Sequence, residues 1–241
     1  MIQLYDVFTS LGVAVFLFLT FKNARKDGFS PELSLGMGLI FLTGGLIGGR
    51  SFYHAFHAVP LESPLNLIRY DRGGFMFHGV LVGGIFATFF ITTICKTSFI
   101  KALDSLFPSF AASTACWRLG CFKAGCCFGC NVSILGSPSF RLPLPLIETG
   151  FLICLVWFVD VIKKKPSKNP FVGISAGLYL LLHGTFRILS DNWRADDLGF
   201  NISCLNIPCT TFFSIGMILG GLLILSKFRK IFNLKKLKKM I

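Results

Sequence analysis

Charge is scarce in this chain, and acid is scarcest: 15% of residues are charged, with 11 Asp and Glu against 24 Lys and Arg in 241 positions. So little polar surface cannot cover a water-soluble fold of this size. A mean hydropathy of +0.69 places the chain among integral membrane proteins instead. No basic segment precedes the first apolar run and Asp6 lies near its start, which argues against a cleaved leader and for a retained first helix. No internal repeat of about 20–50 residues is evident, so a single bundle is expected. The nine cysteines form no paired C-x2-C knuckles. A structural zinc site is therefore not expected, and no metal or cofactor is assigned.

What the chain does have is long apolar runs. Those near 4–22, 35–57, 75–95, 144–162, 171–190 and 208–226 can each span a hydrocarbon core of about 30 Å. A less apolar run near 103–121, carrying Asp104 and Arg118, is counted with them. The expected fold is all-α: a polytopic membrane bundle of about seven transmembrane helices over 1–226, with a basic cytoplasmic tail over 227–241. Phe228, Ile231, Phe232 and Leu234 in that tail suit a short amphipathic anchor at the membrane surface.

The excess of positive charge follows topology and does not suggest a nucleic-acid partner. With the N-terminus outside, Lys22, Arg25 and Lys26, then Lys96 and Lys101, then Lys163, Lys164, Lys165 and Lys168, and the seven cations from Lys227 to Lys239 all become cytoplasmic. The remainder, Arg50, Arg69, Arg72, Arg118, Lys123, Arg141, Arg187 and Arg194, fall near the outer ends of helices or in outer loops, and all but one are arginine. Arginine's planar fork suits phosphate or carboxylate, whereas the inner lysines suit topology and anionic headgroups. The longer connections, about 58–74, 122–143 and 191–207, lie on the same outer side.

Three clusters could carry chemistry. His183, Arg187, Asp191 and Arg194 recur at helical spacing and share a face, which is costly in a membrane unless they pair or line a polar cavity. His78, at the outer entrance of the third span, has an imidazole suited to accepting a proton near neutral pH, with Gly79 leaving room beside it. Cys116, Cys121, Cys126, Cys127 and Cys130 crowd the place where the run near 103–121 meets an outer loop, with Gly120, Gly125 and Gly129 making that loop compact. They read as buried small hydrophobes, disulfides or metal ligands, and Cys204 with Cys209 is a candidate disulfide. Gly44, Gly45, Gly48 and Gly49, opposite Gly79, Gly83 and Gly84, read as close helix packing.

Taken in order, these elements resemble one family, the bacterial prolipoprotein diacylglyceryl transferases. The family's H-G-G-L-I-G element is similar to His78-Gly-Val-Leu-Val-Gly83, and its G-R-x-G-N-F-x-N-G-E-x-x-G signature resembles Trp117 to Gly129. Its F-R-F-x-V-E-x-x-R-x-P-D element resembles Phe186 to Asp196, and its R-W-Y element resembles Gln3-Leu-Tyr5. The resemblance implies an enzyme of the bacterial inner membrane that moves diacylglyceryl from phosphatidylglycerol to the lipobox cysteine of a prolipoprotein. It implies catalytic roles for His78, Arg118 and Arg187, and substrate-binding roles for Tyr5, Gly129, Asp191 and Arg194.

Cys121, Cys126 and Val80 stand where the family pattern has Asn, Glu and Gly, which marks a divergent member. A paralogue with another acceptor, an anionic-lipid transporter and a thiol redox protein remain as alternatives.

Overall fold

The computed structural model describes residues 4–57, 60, 63–67, 74–133, 140–164, 172–195, 201–202 and 207–237. Seven α-helices run through them: α1 (Leu4–Lys26), α2 (Pro31–Phe56), α3 (Phe77–Ile94), α4 (Phe99–Lys123), α5 (Leu144–Lys164), α6 (Ile174–Asp191) and α7 (Cys209–Leu237). Each coincides with an expected span to within a few residues, except that α7 continues through the start of the tail. The side chains of the tail, Arg69, Arg72 and Cys204 lie outside the described residues.

Local chemistry sets several of these ends. At the start of α2, Ser30 Oγ accepts from the Leu33 amide at 3.2 Å and Pro31 occupies the first helical position, where its missing N–H costs nothing. Gly28, at φ 84°, makes the tight reversal from α1. At the other end of the bundle, β1 (Asn131–Val132) pairs antiparallel with β2 (Phe140–Arg141), and β3 (Asn201–Ile202) with β4 (Ile207–Pro208).

Five helices, α1, α2, α3, α5 and the Cys209–Ser226 part of α7, are apolar enough by themselves to cross a membrane. The other two carry the polar cargo. α4 packs against α1, α3, α5 and α6, burying Asp104, Ser105, Ser109, Ser113 and Thr114. α6 buries Ser175, His183, Arg187, Ser190 and Asp191. Lipid-facing helices such as α3 instead expose Phe86, Phe89 and Phe90. An aromatic core of Phe16, Phe41, Phe77, Phe107, Phe110 and Tyr179 fills the space between them, with Phe41 and Phe110 5.2 Å apart.

Two further devices hold the helices. At one end, Asp104 Oδ1 accepts from the Ser175 and Ala176 amides at 2.7 and 3.0 Å, so a carboxylate of α4 caps the N-terminus of α6. Lys163 lies 3.8 Å from the same carboxylate, and Ser105 donates to Asp27 at 2.5 Å. Arg25, Lys101 and Lys163 therefore gather at one end of the bundle, as the charge pattern requires. Between α2 and α3, a Cβ on Gly48 would collide with the Gly79 carbonyl and one on Gly83 with the Gly44 carbonyl. This is the close backbone approach expected of the glycines.

Gly48→Val is expected to wedge α2 from α3 and lower stability by roughly 1–3 kcal/mol, the range for overpacking. Gly36, in the same helix with nothing within 4 Å of an added Cβ, is the control, and Gly36→Ala should leave thermal unfolding in detergent unchanged or slightly later.

Candidate functional site

The centre of the site is a residue the sequence reading passed over. Glu148, in the second turn of α5 and 3% exposed, accepts from Arg187 Nη1 at 2.9 Å and lies 3.4 Å from Arg194 Nη1. Its other oxygen is paired with Arg118 Nε. One carboxylate thus joins the last turns of α4, the start of α5, the end of α6 and the bend beyond it. The signal was available: a lone acid in an apolar span calls for a partner. It was missed because its cations are remote in sequence.

Arg187 is held from two sides, since Asp191, one turn on, places Oδ1 3.0 Å from its Nη2. Three guanidiniums against two carboxylates leave an excess of one positive charge. The Arg187 Nε–H is buried and has no hydrogen-bond partner. A spare donor on a buried cation is an invitation to an anion.

Arg194 departs from the expected stripe. α6 stops at Asp191, and Asn192 closes it by donating from Nδ2 to the Ile188 carbonyl at 2.8 Å, so Arg194 lies beyond the helix. Backbone contacts bring it back: Gly129 bridges Arg194, and Cys130 N donates to the Trp193 carbonyl at 2.8 Å. Gly129 is needed for this approach, because a Cβ there would sit 2.7 Å from the Trp193 carbonyl. It touches the site through backbone, positioning Arg194.

His78, in the first turn of α3, is buried and lies within electrostatic reach of Arg187 and Arg194. Ser214 of α7 donates to the Thr210 carbonyl at 2.8 Å, and its Oγ lies 3.1 Å from His78 Nε2. With the serine proton committed, the network assigns the imidazole proton to Nε2. Nδ1, buried and without a hydrogen-bond partner, keeps its lone pair. Phe77 joins the two groups, its ring 4.9 Å from that of His183 and 5.8 Å from the Arg187 guanidinium carbon. His183 shares a 2.8 Å hydrogen bond with Tyr179.

Arg118, Arg187, Arg194, Asp191 and His78 are therefore brought together. Tyr5 stands apart, in the first turn of α1 beside Gly120 and the cysteine loop. Arg50, another expected outer arginine, is buried elsewhere, donating from Nε to the Asn66 carbonyl at 3.1 Å and covering Phe75. Where α4 runs into the cysteine loop, the Sγ atoms of Cys121, Cys126 and Cys127 lie within 4.8 Å of one another. Partial burial, and then the neighbouring Cys127, push the Cys126 thiol above its ordinary range.

Comparison with known proteins points to one family. The sequence model of one family, described as prolipoprotein diacylglyceryl transferase, matches residues 1–227. A phosphatidylglycerol–prolipoprotein diacylglyceryl transferase of Clostridium tetani is 26% identical, covering 94% of each chain. One from Pseudoalteromonas translucida is 29% identical over 92% of this chain and 86% of its own, and one from Shewanella oneidensis 30% over 75% and 69%.

Glu148→Gln is expected to cost roughly 3–5 kcal/mol of stability, the range for removing one partner of a buried pair. Arg118→Met added to it should recover part of that loss in denaturation measurements, because it relieves one of the uncompensated cations.

Proposed function

The chain belongs to the prolipoprotein diacylglyceryl transferase family, and from that premise we propose that it transfers diacylglyceryl from phosphatidylglycerol to the lipobox cysteine of a prolipoprotein. It is a multi-pass membrane protein with five helices that are apolar spans by themselves. We place it in the bacterial cytoplasmic membrane, the arginine cluster toward the outer leaflet and the 227–241 tail on the cytoplasmic surface. The observation that carries the reading is the gathering of Arg118, Arg187 and Arg194 around one glutamate with a net positive charge to spare.

In this mechanism the acceptor thiol attacks the glyceryl carbon that bears the phosphate. A C–S bond forms as the C–O bond breaks, and the electron pair leaves on an oxygen of glycerol phosphate. Charge develops on that oxygen, and donors fixed in advance stabilise it without reorganising. Arg187 Nε is the free donor, and Arg118 and Arg194 share their charge between the phosphoryl group and Glu148. Asp191 and Glu148 hold the guanidiniums oriented before lipid arrives. The thiol proton passes to Nδ1 of His78, whose orientation Ser214 fixes. Tyr5 and Gly129 border the entry, Gly129 through its hold on Arg194.

An apolar crevice of about 540 Å³ supports the lipid assignment. It is lined by α1, α4 and α5, with Leu19, Cys116, Leu119, Ile153 and Trp157 among its apolar walls and Lys22, Lys26 and Lys163 at its cytoplasmic end. Thr149 and Cys116, also lining it, are near neighbours in sequence of Glu148 and Arg118, so an acyl chain in the crevice would have its headgroup near the cations.

Purified protein with phosphatidylglycerol and a lipobox peptide should yield peptide heavier by one diacylglyceryl group; unchanged peptide beside a folded protein would sink the assignment. His78→Gln should lower the rate about 10²–10⁴-fold at pH 7. Part of it should return toward pH 9, where a thiol of pKa about 8.5 ionises without help. A variant equally slow at both pH values would remove His78 from the role of base.

A further inference from the structure

The cysteine loop is unused by this chemistry, and its geometry is more specific than its spacing suggested. α4 ends in a Schellman turn: Cys126 N donates to the Cys121 carbonyl at 3.1 Å across Gly125, which sits at φ 71°. That termination folds the residue two past the helix back over its last turn. An apolar contact ordinarily forms there, and here it is one thiol against another. Two small hydrophobic cysteines would account for that much.

They do not account for Cys127. It holds a left-handed backbone, φ 61°, at a residue with a Cβ, a conformation that costs energy and marks places where a side chain must point in a set direction. Its result is a third Sγ within 4.8 Å of the other two. One ion with sulfur bonds of about 2.3 Å needs its sulfurs roughly 3.8–4.0 Å apart, so a contraction of less than about 1 Å closes the triangle. Arg118, within electrostatic reach of Cys121 and Cys127, offsets the charge of the thiolates. Cys126 lies exposed and gives an ion a way in.

We propose that Cys121, Cys126 and Cys127 form a three-thiolate site for a soft, thiophilic cation, of the Cu(I) or Zn(II) class. Each thiol loses its proton to water as the ion binds, so binding releases up to three protons and weakens as pH falls. Cu(I) fills its coordination with three sulfurs, whereas Zn(II) adds a water as fourth ligand. The lack of two paired C-x2-C knuckles is no obstacle, because the helix terminator itself supplies the convergence that a knuckle supplies elsewhere.

The test uses the whole chain in detergent, reduced under anaerobic conditions, with Zn(II) and buffered Cu(I) titrated separately. One ion per chain is expected by elemental analysis after desalting, from one metal or both. Loading should slow alkylation of Cys121, Cys126 and Cys127 by tenfold or more, read by mass spectrometry, and leave exposed Cys95 unchanged. Cys127→Ser should weaken binding about 100-fold or more with the same thermal unfolding, and Cys95→Ser should not. Neither ion bound, equal binding by Cys127→Ser, or protection of cysteines outside the three would overturn the site. The wild-type alkylation pattern decides the matter even where a variant fails to fold.

Discussion

One buried carboxylate holds the functional end of this bundle together. Glu148 sits among Arg118, Arg187 and Arg194, where water screens the charges poorly and one carboxylate is shared by three guanidiniums. The carboxylate therefore fixes α5 against α4 and α6, and it anchors the bend after α6. The arrangement is also unequal, three cations to two anions, and the proposed reaction draws on that inequality to hold an anion. Excluding water raises the cost of the cluster and, for the same reason, would strengthen its hold on any anion that enters.

The bundle treats its two ends differently. At the Asp104 end one carboxylate is satisfied by two α6 amides and by Lys163, a capping role that needs no ligand. At the Glu148 end, Arg187 Nε and His78 Nδ1 are among the buried polar atoms without a hydrogen-bond partner. Buried donors and acceptors without partners are rare because each costs about 1–3 kcal/mol. In the proposed reaction Arg187 Nε is the donor to the departing phosphate and His78 Nδ1 the base for the thiol. The glycine contact between α2 and α3 serves the same end by holding His78 on a helix that cannot slide.

The helices were legible because each is a run of apolar residues with local stop signals, such as Ser30-Pro31 before α2. The stacked glycines were legible for the same reason: their spacing is periodic along one helix. Arg187 and Asp191 were readable as neighbours one turn apart. Arg194 was misplaced on the helix, since nothing local announces that a backbone bridge from Gly129 takes it over. Glu148 was visible as an isolated acid but without meaning until three segments, up to 76 residues apart from Arg118 to Arg194, converged on it.

Sequence by itself determined that this chain is a membrane bundle, which end carries forked cations, and which residues match a lipid-modifying family, because hydropathy, charge distribution and motif order are properties of neighbouring residues. Tertiary structure alone decided that Glu148 is the hub, that Nδ1 of His78 is the open nitrogen, and that three cysteines converge. Those facts depend on distances between segments and on which hydrogen bonds are already taken, and only the packed chain sets both.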